Sequence, residues 1–163
     1  MIEITGDLWI EEADWLCITT NGVVKRDGSG VMGAGCALEA TELMPGIQFE
    51  LGEAIRTYGN NVCWLRERKV FQGTQDIIAF PVKHVWWSKA NLKLIRRSCK
   101  ELYTVWKETC LERELEGLEP ISVLLPRPGC GNGGRDWKTE VKPILEELLP
   151  GPYFKIIHYE KTH

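Results

Sequence analysis

The sequence lacks any apolar run approaching the roughly 20 consecutive residues that a membrane-spanning helix needs. It also lacks an excess of basic charge, because 23 acidic residues outnumber 20 lysines and arginines and give a net charge of −3. No global positive field would therefore attract the chain to nucleic acid or to an anionic membrane, which leaves only local basic patches. The first ten residues, MIEITGDLWI, are acidic and strand-like and do not have the pattern of a signal peptide.

Paired metal-ligand motifs are also absent. No two cysteines have CxxC spacing, and the three histidines have no ligand spacing, so we expect neither a metal site nor a metal cofactor. The cysteines are Cys17, Cys36, Cys63, Cys99, Cys110 and Cys130. We interpret them as buried or partly buried reduced thiols of a cytoplasmic protein. Cys130 is the candidate if one of them is catalytic, because it lies in a glycine-rich loop.

The length and pattern of the chain predict a single α/β domain over residues 1–163, without internal repeats. Strands are predicted for MIEITGDLWI, DWLCITTN, NVCWL, KVFQG, DIIAFPV, ISVLLP and YFKIIHY. Helices are predicted for CALEATELM, PGIQFELGEAIRTYG, 88–111 and PILEELL. Pro45 should open the second helix and Gly59 should cap its end, while Pro143 should open the fourth. Ser88 is the expected N-cap of the third helix, and Asp136 that of a short helical turn. This alternation favours a layered domain with a central, mostly parallel sheet, whose ligands bind beyond the carboxyl ends of the strands.

Two glycine-rich segments each follow a predicted strand and precede a helix. The first glycine-rich loop lies in NGVVKRDGSGVMGAGCALEA, and the second glycine-rich loop lies in LPRPGCGNGGRDW. Bare backbone before a helix N-terminus lets amide groups approach an anion, although the spacing matches neither a Walker A motif nor a dinucleotide-binding fingerprint. The alternative is a tight turn with close helix–sheet packing. Because two such loops occur together, we favour a diphosphate-containing ligand held between them.

Lys83 ends the apolar segment DIIAFPVK and would lie at the carboxyl edge of the sheet, where the loops converge. A lysine at a strand end is most often simply solvated. The alternative is a functional amine at the rim of the ligand site.

The segments ITGDLW, GVMGAGCALEA, AFPVKHVWW and LPRPGCGNGGRDW occur in this order, and together the chain resembles a macrodomain from Thr5 to Tyr159. It most resembles the branch that contains the terminal ADP-ribose glycohydrolases and the antitoxins that remove ADP-ribose from DNA. The resemblance implies a three-layer αβα sandwich with a central mixed, mostly parallel sheet, and an ADP-ribose pocket.

The resemblance also assigns roles to individual residues. Asp7 would accept a hydrogen bond from the adenine amino group, with the Leu8 amide nearby, and Tyr159 would approach the adenine. The distal ribose and its phosphate would be lined by Asn21, Gly33, Ala34, Gly35 and Cys36. The diphosphate would be wrapped by Gly129, Cys130, Gly131, Asn132, Gly133 and Gly134. From the residues alone, Asp7 and Asn21 could instead be turn formers, and Tyr159 is more often simply a core residue on such a strand.

In both related branches a lysine at the position of Lys83 is implicated in attack on the anomeric carbon of the ribose. Such an attack requires the neutral amine and gives a ring-opened, Schiff-base-like adduct. The terminal ADP-ribose glycohydrolases have an aspartate where this sequence has Gly133, whereas the DNA-directed branch tends to have GNGG followed by DW, as here. The departure favours a DNA- or nucleotide-linked substrate. We expect Asp136 to cap a helix outside the pocket.

Four further residues are candidates for the rim of the pocket. Lys25 and Arg26 could contact a DNA phosphate, although loop charges are usually solvated. Trp86 and Trp87 could stack on a base, although packing beneath the following helix is the more common arrangement.

Three functions are consistent with this pattern. The first is a hydrolase that removes ADP-ribose from a modified macromolecule with Lys83 as nucleophile. The alternatives are a non-catalytic reader of ADP-ribose and a phosphatase acting on ADP-ribose-1″-phosphate. In each case the partner is ADP-ribose or an ADP-ribosylated macromolecule, and we expect a monomer that does not bind membranes and needs no cofactor.

Overall fold

The computed structural model describes residues 1–162, which form six strands and four α-helices. The strands are β1 (Ile2–Gly6), β2 (Trp15–Asn21), β3 (Cys63–Val70), β4 (Gly73–Lys83), β5 (Val123–Pro126) and β6 (Phe154–Tyr159). The helices are α1 (Gly35–Leu43), α2 (Ile47–Tyr58), α3 (Leu92–Leu115) and α4 (Lys142–Leu148), the last preceded by a π-helical turn, Trp137–Val141. Within residues 1–162, no helix is both long and apolar enough to cross a bilayer.

All six strands form one sheet in the order β1-β6-β5-β2-β4-β3. Every neighbouring pair is parallel except β3 and β4, which form an antiparallel hairpin at one edge. Alternate residues of β2 enter two separate cores: Cys17 packs with residues of α3 and α4, whereas Leu16 and Ile18 pack with residues of α1 and α2. The sheet is therefore covered by helices on both faces, which confirms the three-layer αβα sandwich with a mixed, mostly parallel sheet.

Several predicted element bounds are wrong for identifiable local reasons. β1 ends at Gly6, because the amides of Ile10 and Glu11 donate to the carbonyl of Asp7 and close a turn. NVCWL and KVFQG form one strand, β3, since the polar residues between them alternate along an edge strand paired with β4.

The predicted bounds of two helices are wrong, and α3 also continues to Leu115, beyond its predicted end at residue 111. The N-cap of α3 is Asn91, whose side chain accepts from the Leu94 amide at 2.9 Å, so the prediction of Ser88 is wrong. α2 begins after Gly46, which adopts a left-handed conformation, and not at Pro45. Gly59 as C-cap and Asp136 as N-cap are confirmed. Asp136 nevertheless lines the cleft at the carboxyl edge of the sheet, so the prediction that it lies outside the pocket is wrong.

Gly52 places α2 directly against the first glycine-rich loop. A Cβ at this position would overlap the carbonyl oxygen of Gly28 and lie 3.1 Å from the Gly30 amide nitrogen. Glycine to alanine within an exposed helix should stabilise by about 1 kcal/mol. Here we expect Gly52→Ala to destabilise by about 1–3 kcal/mol instead, because α2 or the loop backbone must move. Urea denaturation measures the difference, with the exposed Glu53→Ala as control; a Gly52→Ala protein as stable as the wild type would contradict this contact.

Glu3 connects β1 to the segment that leads into α4. Its carboxylate accepts from Lys142 Nζ at 2.7 Å and from Trp137 Nε1 at 2.8 Å, and it lies 3.8 Å from the Arg127 guanidinium. The hydrogen bond from Lys142 is the main cause that lowers the pKa of Glu3 below its ordinary value of 4.5.

A lowered folded-state pKa means that the carboxylate stabilises the fold fully above pH 4.5 and loses this contribution as the pH falls through the folded-state value. We therefore expect Glu3→Gln to lower the free energy of unfolding by up to about 1 kcal/mol at pH 7, because the Glu3–Lys142 pair is one-third exposed. This loss should become progressively smaller below about pH 4. Denaturation at a series of pH values measures this. The exposed Glu67→Gln variant is the control, and a pH-independent cost for Glu3→Gln would contradict the assignment.

Candidate functional site

A cleft of about 1120 Å³ opens at the carboxyl ends of β2, β4, β5 and β6. Its walls come from the strand ends and from the two glycine-rich loops. Of the predicted site residues, the cleft is lined by Asn21, Gly33, Ala34, Gly35, Cys36, Lys83, Gly129, Cys130, Gly131, Asn132, Gly133 and Tyr159. The topology therefore brings together residues that are separated by more than one hundred positions in the chain.

The N-terminus of α1 points its unpaired amides toward this cleft. Ala34 is the N-cap residue, with extended backbone and no side-chain hydrogen bond to the helix. Within residues 1–162, the amides of Gly35, Cys36 and Ala37 have no hydrogen-bond acceptor, and the first turn carries no acidic side chain. These donors and the helix dipole make the wall of the cleft favourable for an anion.

The glycines of the second loop fall into two groups. Gly129 and Gly133 are buried, and a Cβ on Gly133 would lie 2.5 Å from the Gly129 carbonyl oxygen and 2.8 Å from the Ala90 Cβ. Gly131 is exposed, and a Cβ there would meet nothing within 4 Å. The buried pair is therefore needed for the loop to fold, while Gly131 leaves backbone open to the cleft.

The two glycine-rich loops approach each other across the cleft. Gly35 has a φ of 59°, and a Cβ there would lie 3.2 Å from the Asn132 side-chain nitrogen. Gly33, like Gly131, has open space where a Cβ would be. A ligand between the loops would therefore contact backbone on both sides, as the sequence pattern predicts.

Lys83 lies at the end of β4, and its side chain extends toward the second glycine-rich loop. Its Nζ donates to the carbonyl oxygens of Trp86 at 3.2 Å and Asn132 at 3.3 Å. No carboxylate of residues 1–162 lies within ion-pairing distance of this amine. The amine is therefore held by two backbone carbonyls at the edge of the cleft, beside the loop that carries Asn132.

The two cysteines in the cleft lack the character of nucleophiles. Burial raises the pKa of the Cys130 thiol to about 11, and its Sγ donates to the Pro128 carbonyl. Burial likewise raises the pKa of Cys36, whose Sγ lies 3.4 Å from Thr19 Oγ1. Both thiols stay protonated near pH 7, which argues against a catalytic thiolate at Cys130.

Asn21 and Tyr159 make contacts that fix other parts of the cleft. The Asn21 side-chain nitrogen donates to the Val31 carbonyl, and its side-chain oxygen accepts from the Val23 backbone amide, both at 3.0 Å. Asn21 therefore organises the first loop. The Tyr159 hydroxyl donates to Glu39 at 2.8 Å, and burial is the main cause of its raised pKa. Neither contact tests the predicted role toward ADP-ribose.

Three predicted residues lie outside the lining of the cleft. The buried Asp7 carboxylate accepts from the Trp9 amide and, through its second oxygen, from the amide and hydroxyl of Thr162. Leu8 is fully buried in the core beneath α1, and Gly134 turns the second loop with a φ of 69°. Their roles toward adenine and diphosphate stay predictions.

Other residues line the cleft without having been predicted from the sequence. Arg127 follows β5, and its guanidinium lies 5.1 Å from the centre of the Trp137 ring. Thr20 and His158 line the cleft from the ends of β2 and β6. Their positions at strand ends were a usable signal, because parallel strand ends converge on a single edge. Among residues 1–162, no cluster of three or more His, Cys, Asp or Glu side chains could hold a metal ion.

The rim carries exposed aromatic rings. Trp86 and Trp87 are 54% and 66% exposed, with an edge-to-face arrangement and ring centres 5.4 Å apart, so the prediction that they pack beneath α3 is wrong. Trp86 and Lys25 line the cleft, whereas the exposed Arg26 lies outside its lining.

Comparison with solved structures identifies the fold. The macrodomain of Mycobacterium tuberculosis DarG superposes with a TM-score of 0.72 and 27% identity, covering 96% of this chain and 95% of that one. The chain has the macrodomain fold. The macrodomain of Thermus aquaticus DarG is also similar, with a TM-score of 0.68 and 25% identity over 98% of this chain and 97% of that one.

A curated relative extends this similarity. This macrodomain is 27% identical over 159 residues to a DNA ADP-ribosyl glycohydrolase of Mycobacterium bovis (strain BCG / Pasteur 1173P2), which covers 95% of the present chain. The macrodomain spans about two fifths (40%) of the length of that relative. No family model matches the sequence.

Proposed function

We propose that this macrodomain binds ADP-ribose in the cleft and removes it from ADP-ribosylated DNA. The observation that carries the proposal is the position of Lys83, whose amine lies beside the second glycine-rich loop while that loop faces the N-terminus of α1 across the cleft. A diphosphate between the two loops would leave its distal ribose near this amine. The similarity to a DNA ADP-ribosyl glycohydrolase supports DNA as the modified molecule.

In the proposed reaction, the unpaired amides of Gly35, Cys36 and Ala37 bind phosphate oxygens, and the exposed backbone at Gly131 binds from the opposite wall. The Lys83 Nζ attacks the anomeric carbon of the distal ribose and loses a proton as the bond to DNA breaks, while the DNA leaving group gains a proton. Ring opening then gives a Schiff base, which water hydrolyses to release ADP-ribose and the free lysine.

The rim provides a surface for the DNA that surrounds the modified nucleotide. The exposed rings of Trp86 and Trp87 offer flat faces on which bases can stack, and Lys25 offers a charge for a phosphate. We expect Trp86→Ala to raise the KM for an ADP-ribosylated oligonucleotide by about tenfold, since one stacked base contributes roughly 1–3 kcal/mol. The affinity for free ADP-ribose should change less than the KM, because Trp86 lines the cleft only at its rim. An unchanged KM would remove Trp86 from the DNA surface.

The first experiment is a calorimetric titration with ADP-ribose, with AMP as the control ligand. One-to-one binding in the micromolar range, tighter than AMP, is expected if both phosphates and the distal ribose contribute. Release of ADP-ribose from a modified oligonucleotide, followed by chromatography, then tests the hydrolase. Tight binding without release would favour a reader of ADP-ribose, and absence of binding would overturn the ligand assignment.

We also propose that the protein works in a reducing, cytoplasmic compartment, a proposal supported by its six free cysteines. We further propose that it acts as a monomer, because one chain supplies every element that surrounds the cleft. Light scattering after gel filtration tests the second statement, and a stable dimer would contradict it.

A further inference from the structure

The end of β4 is irregular directly before Lys83. Thr20 of β2 is paired with Pro81, but the next residue of β2, Asn21, is paired with Lys83, so that Val82 is skipped. This extra residue is a β-bulge, a device that changes the direction of the side chain that follows it. The direction of Lys83 therefore depends on how the backbone of the bulge is held.

Three successive carbonyls of the bulge are hydrogen-bonded by groups that do not belong to the sheet. The buried Ser98 hydroxyl of α3 donates to the Pro81 carbonyl at 2.7 Å. The backbone amide of Asn91 donates to the Val82 carbonyl at 2.8 Å, and the side-chain amide of Asn60 donates to the Lys83 carbonyl at 3.0 Å. Each carbonyl that leads to the lysine is thus fixed by a different donor.

Asn60 is itself fixed between the ends of β2 and β4. Its backbone carbonyl accepts from the Arg97 guanidinium of α3. Its side-chain amide lies against Gly22, where a Cβ would come within 2.9 Å of the Asn60 side-chain nitrogen. The backbone amide of Gly22 donates to the His84 carbonyl at 3.2 Å. Only a bare backbone at Gly22 leaves room for the Asn60 side chain at this place.

We propose that Asn60 and Ser98 are positioning residues for Lys83. Through the carbonyls of the bulge, they hold the strand end in the conformation that directs the amine toward the carbonyls of Trp86 and Asn132. Neither side chain needs to contact the substrate. The effect on turnover rests on the proposed function, whereas the effect on the position of the amine does not.

The adjacent asparagines provide a matched pair for the test. Asn60→Ala removes the hydrogen bond to the Lys83 carbonyl, while Asn61→Ala removes only a bond to the Tyr58 carbonyl. We expect Asn60→Ala to lower kcat on ADP-ribosylated DNA by about tenfold or more with little change in KM or in ADP-ribose affinity, because misplacing a reacting group slows the chemical step. Asn61→Ala should behave as the wild type, and equal kcat values for the two variants would overturn the inference.

A second measurement does not depend on catalysis. Acetylation by acetic anhydride, followed by mass spectrometry, gives the labelling rate of Lys83 relative to the exposed Lys107 in the same sample. In Asn60→Ala the amine should leave its two carbonyl partners and label faster relative to Lys107, with no such change in Asn61→Ala. If the wild type proves inactive, the proposed function fails but this comparison still decides the inference, since unchanged relative labelling overturns it.

Ser98→Ala extends the test to the other side of the bulge. It removes the hydroxyl that donates to the Pro81 carbonyl and leaves Asn60 intact. The same fall in kcat at unchanged ADP-ribose affinity and the same faster labelling of Lys83 are expected. Wild-type kcat and labelling in this variant would remove Ser98 from the assignment.

Discussion

Lys83→Ala is expected to slow the release of ADP-ribose from modified DNA by at least about 100-fold, the lower end of what loss of a group acting in the chemical step costs. The reason is that the variant retains the cleft and the backbone amides but lacks the amine that attacks the ribose. Affinity for free ADP-ribose should change little, because Lys83 Nζ bonds to protein carbonyls and the phosphate donors lie in the loops. Single-turnover kinetics and calorimetry measure the two quantities.

Two control variants separate the possible roles of this lysine. Lys107→Ala removes an exposed lysine of α3 outside the cleft and should leave both quantities unchanged. Lys83→Arg keeps the positive charge but not a nucleophilic amine, so it should be as slow as Lys83→Ala. Near wild-type turnover in Lys83→Arg would show that only the charge matters, and near wild-type turnover in Lys83→Ala would contradict the mechanism altogether.

The architecture was predictable because the relevant signals are local. The apolar run of β2 reported burial on both faces, and Asp136 and Gly59 reported the start of one helical segment and the end of another. The position of Lys83 followed from the same reasoning, since a lysine that ends a buried parallel strand must lie at the loop edge of the sheet. These inferences needed only the pattern of the neighbouring residues.

The parts that could not be predicted depend on contacts between distant segments. Asn60 has no local signal for its role, because its partner is the carbonyl of Lys83, 23 positions further along the chain. The same holds for Asp7, whose carboxylate accepts from Thr162, 155 positions away. Glycine content alone also could not separate Gly133, which is required by packing, from Gly131, which is open to the cleft.

The packing around Gly133 predicts that a substitution there will strongly affect both stability and ligand binding. Gly133→Asp introduces the acid that the terminal ADP-ribose glycohydrolases have at this position, but its Cβ would lie 2.5 Å from the Gly129 carbonyl oxygen and 2.7 Å from the Gly129 Cα. These contacts are with backbone, so the loop must change conformation. We expect a loss of stability of about 1–3 kcal/mol, as for other overpacked sites, and a large loss of ADP-ribose affinity. Thermal denaturation and calorimetry measure both effects.

Gly131→Asp is the matched control, because it adds the same charge to the same loop where nothing lies within 4 Å of the new Cβ. It should be as stable as the wild type, and any loss of affinity would then report charge repulsion by the ligand phosphates. Gly133→Asp with wild-type stability would contradict the packing, and wild-type affinity for ADP-ribose would show that the loop can accept the acid. If the loop instead rejects it, an acid cannot be restored at this position without rebuilding the turn.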